Sequence, residues 1–152
     1  MARWDDVRQQ SPELVARAQA LFDAQKHRTL ATLRRDGSPR ISGIEGDFRD
    51  GELWLGCMWM SVKALDLRRD PRFALHSGSV DPPEWEGDAK VAGLAEEVTD
   101  PEVVARINDG EPGRSHLFRA DIRELVVVRV VEKQLVVDSW HDGRGVTTLS
   151  RD

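Results

Sequence analysis

The feature that most constrains this chain is a stretch of alternating, β-forming residues cut by glycine turns between positions 29 and 59. Residues 29–34 (TLATLR) alternate, Arg35-Asp36-Gly37 supplies turn chemistry, and residues 39–48 read as the returning strand. Asp50-Gly51 marks a second tight turn before the strongly apolar segment 52–59 (ELWLGCMW). The pattern predicts a three-stranded meander, and a meander needs further elements to cover its apolar face. Residues 12–25 offer one: Ser11 suits an N-cap, Pro12 the first helical position, and Leu14, Val15, Ala18, Leu21 and Phe22 fall on one stripe. Beyond the meander, residues 61–70 (SVKALDLRRD) return to helical spacing and stop before Pro71. A short strand at 72–76, a loop rich in Gly, Pro and acid at 77–88 and a strand at 89–98 follow. Asp100-Pro101-Glu102 opens a helix that closes near Asn108-Asp109-Gly110, and strands are expected at 122–132, 134–141 and 146–150. The sum is a mainly β, α+β chain: an antiparallel barrel of about six to seven strands with short helices. One domain, 1–152, is expected, with residues 1–26 helical and 27–152 forming the barrel.

Composition sharpens the functional side. At 152 residues the chain is long enough for one core, and 39% hydrophobic with 32% charged residues is globular. The longest apolar run, 53–60, is far short of a bilayer span, and no signal-like segment precedes it, so a cytoplasmic protein is expected. The single cysteine, Cys57, excludes an internal disulfide and a Cys-rich zinc site. A net charge of −5 disfavours a nucleic-acid surface or an anionic membrane as partner. His27, His76, His116 and His141 show no metal-ligand spacing, and no G-x-S-x-G, G-x-G-x-x-G or P-loop occurs.

The segment 53–71 carries the most chemistry. A strand feeds a helix whose first turn is Ser61-Val62-Lys63, and a helix start presents free N–H groups and positive potential to an anion. Ser61 can cap that helix or face the anion, and Lys63, one of four lysines, adds a full charge. The same residues also describe an ordinary capped amphipathic helix.

LATLRRDGSPRISGI, followed by ELWLGCMWMSVKALDLRRDPRFAL, resembles the pyridoxamine 5′-phosphate oxidase-like family of split β-barrel flavoproteins. The likeness runs from Thr29 to Leu75 and continues loosely through Val91-Ala92-Gly93-Leu94-Ala95 and the last strands. The resemblance implies a homodimer with cofactor sites where the subunits meet. It implies the cofactor phosphate at Ser61 and Lys63, Cys57, Met58 and Trp59 beneath the ribityl chain and ring, and Ser42, Gly43 and Ile44 at the ring edge. Ser42 stands where the oxidase proper has an arginine, leaving Arg40 or Arg72 as possible replacements. The stretch from Val137 to Gly143 resembles the oxidase segment whose tryptophan lies beside the flavin, which makes Trp140 a ring contact or, equally, a core or rim residue. Arg144-Gly145-Val146 lacks the substrate-binding Arg-x-His of the oxidase, so that enzyme itself is not expected. The implied function is flavin- or deazaflavin-dependent oxidation or reduction of a small molecule. FMN leads as cofactor and F420 follows. The alternative is a non-catalytic binder of flavin, F420, haem or another tetrapyrrole, where haem would require His116 or His141 as an axial ligand. Trp85, in the acidic loop, could act as a lid.

Overall fold

The computed structural model describes residues 1–108 and 113–152. Two helices come first, α1 (Trp4–Gln10) and α2 (Pro12–Ala24). The strands β1 (Arg28–Leu33), β2 (Pro39–Ile44), β3 (Asp47–Arg49) and β4 (Glu52–Met58) lead into α3 (Val62–Arg69). After it come β5 (Arg72–His76), β6 (Asp88–Val98), α4 (Pro101–Asn108), β7 (Ser115–Val131), β8 (Gln134–His141) and β9 (Gly145–Arg151). The Asp109-Gly110 part of the expected helix closure lies outside the described residues.

All nine strands belong to one hydrogen-bonded antiparallel sheet, more strands than the six to seven expected. Its order is β2-β1-β5-β6-β7-β4-β3, with β8 and β9 continuing from β7. The altered meander, and one of the added strands, have a single cause. The returning strand breaks between β2 and β3 at Glu45 and Gly46, where Gly46 takes a φ of +71°. The Arg28 guanidinium donates to the carbonyls of Glu45, Gly46 and Phe22, so a side chain takes the bonds a neighbouring strand would have used. β2 therefore pairs with β1, β3 pairs with β4, and the other edge of β4 joins β7.

β7 starts seven residues before the expected position 122 and is the spine of the fold. One edge carries β6, and the other is shared by β4 and β8. Between those two, the N-terminal segment closes the edge. Ile122 N–H donates to the Ala2 carbonyl at 2.8 Å, and Ala2 N–H donates to Asp121 Oδ1 at 2.9 Å.

The main core joins inward residues of β1, β4, β5, β6 and β7 to Trp4, Val7, Leu14, Val15, Ala18 and Phe22 of the first two helices. A smaller cluster of Trp54, Val104, Ile107 and Leu117 lies under α4. Helix α1 falls within the segment expected to be helical, although WDDVRQQ carries only two apolar side chains and so gives no stripe of its own. Both are buried, and Trp4 donates to Gln19 Oε1 while its ring meets Phe48 at 4.7 Å. Ser11 and Ser61 both precede helices as expected, but neither makes a side-chain cap.

Candidate cofactor site

β4 leaves the sheet at Met58, turns through Trp59 and Met60, and enters α3. Met60 has a φ of +56°, and Ser61 N–H donates to the Met58 carbonyl at 3.1 Å, so the turn is tight. The Ser61 carbonyl begins the helix by accepting from Leu65 at 3.0 Å, while its hydroxyl oxygen is buried without a partner among the described residues. A buried polar atom without a partner is costly, so its position at a helix start suits an acceptor supplied from outside. Lys63 reaches across to β2, where Nζ donates to the Gly43 carbonyl at 2.9 Å. A Cβ built on Gly43 would meet nothing within 4 Å, so the backbone there is open to a ligand. The structure thus brings Ser61, Lys63 and Gly43 together.

Apolar side chains surround this polar point. Ile41 is 74% exposed, Met58 79% and Trp59 52%, and Met60, Val62 and Leu65 are exposed beside them. A cleft of about 570 Å³ also reaches the β4 end, lined by Arg28, Gly46, Trp54, Cys57, Met58 and Asn108. Ser61 and Lys63 are not on its walls.

The remaining expected site residues separate by strand face. Cys57 alternates with Leu53 and Leu55 into the barrel, and its buried thiol is pushed up to about 11 by desolvation, against the opposing effect of Lys63. It offers a ligand backbone rather than a thiolate. Ile44 is in the core, and Ser42 is half-buried opposite Leu30. Trp140 corrects the ring-contact expectation: it is completely buried, packed with the α1 and α2 side chains, and its indole N–H donates to Gln10 Oε1 at 3.1 Å. It is a core residue because β8 alternates Val136, Asp138 and Trp140 inward.

The two arginines expected as replacements for the one missing at Ser42 are engaged. Arg72 forms a double-bonded pair with Asp70, and Arg40 Nε donates to Asp66 Oδ2 at 2.7 Å. Asp66 is a buried hub that also accepts from Thr32 Oγ1 at 2.8 Å and Arg69 at 3.0 Å. Burial pushes its carboxyl up, and the bonds from Arg40, Thr32 and Arg69 more than reverse this, holding it below the ordinary value. Trp85 is tied to Asp88 Oδ1 at 3.1 Å.

Sequence reading missed one pairing. His116 Nδ1 lies 2.9 Å from Glu97 Oε1, and its ring stacks on Trp59 with centroids 4.4 Å apart. The signal was in Trp59 and His116 separately, but only the β4–β7 register, which sets Cys57 opposite His116, joins them. His141 lies elsewhere, with Nε2 2.8 Å from Glu124. Among the described residues no group of three or more His, Cys, Asp or Glu is placed to hold a metal ion, and no helix is long and apolar enough to cross a membrane.

The sequence pattern of the pyridoxamine 5′-phosphate oxidase family matches residues 14–130, most of the chain. The chain belongs to that family. Among solved structures, the fold is similar to PhzG from Burkholderia lata 383 in complex with tetrahydrophenazine-1-carboxylic acid, at a TM-score of 0.70, 15% identity and coverage of 98% of this chain and 95% of that one. It is similar to a pyridoxamine 5′-phosphate oxidase-related, FMN-binding protein from Nostoc punctiforme PCC 73102, with a TM-score of 0.65, 14% identity and coverage of 100% and 98%. It is also similar to an F420 reductase, with a TM-score of 0.56, 21% identity and coverage of 70% and 94%. Among curated proteins, none matches the sequence significantly. The Ser61–Lys63 turn lies inside the matched region.

Proposed function

We propose that the protein is a flavin- or deazaflavin-dependent oxidoreductase, with the cofactor phosphate held at the start of α3. The observation that carries this reading is the buried, unpartnered Ser61 hydroxyl beside Lys63 and the open Gly43 backbone. Lys63 supplies charge, Ser61 and the first N–H groups of α3 supply hydrogen bonds, and the Gly43 carbonyl already orients the lysine. When bound, the cofactor supplies hydride or electron transfer to or from a small molecule, and the protein positions it and excludes water. The residues flanking Ser61, Met60 and Val62, are exposed and apolar, which suits a reaction centred on the cofactor. FMN is the leading candidate and F420 the second; both carry the phosphate the site needs. Haem gains no support, since the cavity at His116 is only about 250 Å³ and the Nε2 of His141 is paired with Glu124.

The apolar collar of Ile41, Met58, Trp59 and Val62 is the reason for proposing a homodimer, with one cofactor against each collar. Light scattering of the cofactor-loaded protein should give twice 17.1 kDa; a loaded monomer would refute the dimer. For the site, Lys63→Ala should weaken FMN or F420 binding roughly ten- to a hundredfold, as expected for a charge-assisted bond. The dephosphorylated cofactors should lose much less, and equal losses would put the phosphate elsewhere. A non-catalytic cofactor carrier is the second reading, favoured by the lack of an acid–base pair next to Ser61. It takes over if no electron acceptor reoxidises the reduced, bound cofactor faster than buffer does.

A further inference from the structure

A separate cavity of about 250 Å³ lies at the barrel end between α3 and α4, with Trp59, Arg68, Glu97, Val104 and His116 on its walls. His116 is 2% exposed, with Nδ1 2.9 Å from Glu97 Oε1. A carboxylate oxygen can only accept, so Nδ1 carries a proton, and at a pH where the ring is neutral Nε2 presents a bare lone pair. Glu97 is fixed in turn by Arg68, whose Nε lies 3.0 Å from its other oxygen. One face of the imidazole is covered by Trp59, stacked within 7° of parallel, and Phe118 packs against it at 6.4 Å. The ring therefore has little freedom to turn. Its Nε2 is buried and has no hydrogen-bond partner among the described residues.

We propose that this cavity binds a small, flat, neutral molecule carrying a hydroxyl group, of phenol or enol type, with the hydroxyl donating to His116 Nε2. The three parts of the match come from different observations. The volume is below the range of drug-sized pockets and suits one or two fused rings. The walls are partly apolar, with an indole at one side. Among the described residues on these walls, the unsatisfied polar atom is His116 Nε2, an acceptor whenever the ring is neutral with its proton on Nδ1, which selects a donor and penalises a group that cannot donate. Trp59 belongs both to this cavity and to the turn that leads to Ser61 two residues later, so the ligand sits next to the proposed cofactor site. Reading the ligand as the substrate class of the oxidoreductase rests on the proposed function; the binding itself does not.

The test is calorimetric titration of the full chain, with and without FMN, using 2-naphthol and its methyl ether 2-methoxynaphthalene. The naphthol should bind about tenfold or more tighter than the ether, since only the naphthol can satisfy Nε2. His116→Phe keeps a flat ring against Trp59 and should bring the naphthol down to the affinity of the ether, leaving the ether unchanged. Equal binding of the two probes to the unaltered protein overturns the proposal without any variant, as does a naphthol affinity that survives His116→Phe. Failure of the cofactor reading shows differently: FMN and F420 would not bind, while the naphthol preference persisted.

Discussion

Removing the Asp66 carboxylate gives a direct test of how this protein holds its second strand to α3. Its side chain is 4% exposed and receives three hydrogen bonds, from Thr32, Arg40 and Arg69. In Asp66→Ala the Thr32 hydroxyl is left buried without an acceptor, a loss of about 1–3 kcal/mol on its own. The two guanidiniums lose their counter-charge as well, but both keep partial access to water, with side chains 25% and 32% exposed. The total should therefore lie at the low end of the range for breaking a buried ion pair, about 3 kcal/mol. For a chain of this length that corresponds to a fall in Tm of roughly 6–12 °C. Urea unfolding should show a lower midpoint with an unchanged slope. Asp66→Asn keeps the volume and should fall between the two. Because the folded-state carboxyl is held below its ordinary value, the advantage of Asp over Asn is complete above about pH 4 and is lost as pH falls through the folded-state value. A loss under about 1 kcal/mol in Asp66→Ala, or an advantage of Asp over Asn that grows on acidification, would refute the hub.

Glu52 should behave in the opposite sense. Burial raises its carboxyl against the pull of Arg3, so the stability of the wild type relative to Glu52→Gln should fall as pH rises above about 4.3, and pH-resolved melts will show it. Cys57 should resist a disulfide reagent at pH 8 in the native state and react at once in denaturant; rapid native labelling would contradict its enclosure. Gly93→Ala should be severely destabilising in thermal melts, because a Cβ there would lie 2.0 Å from the Asp121 carbonyl oxygen, whereas Gly43→Ala should stay within about 0.5 kcal/mol.

The parts of the fold legible in sequence are those with strong local signals. The α2 stripe, the Asp36-Gly37 and Asp50-Gly51 turns and the Pro71 stop all sit where residue chemistry alone put them. What local reading could not reach was decided across the chain. The break at Gly46 depends on Arg28 turning its guanidinium toward three carbonyls, and α1 depends on a place for Trp4 beside Gln19 and Phe48. At the candidate site, Ser61 and Lys63 were visible because a helix start has its own signature. Cys57 and Trp140 were visible as residues, but the face each presents follows from strand parity against a core the sequence does not display. The His116–Glu97 pair was invisible for the same reason, since it exists only once β6 and β7 are in register.

The edge of β7 shared by β4 and β8 has a consequence for the order of events during synthesis. Ala2 leaves the ribosome early, yet its partner Asp121 lies 119 positions later. Until that late strand emerges, Ala2 has no hydrogen-bonded place in the sheet, although Trp4 and Val7 already have α2 and β4 to pack on. Closing so long a loop is slow, and contacts this distant in sequence are formed late. The nascent chain therefore spends most of its time on the ribosome with its first residues waiting for the strand that completes the barrel.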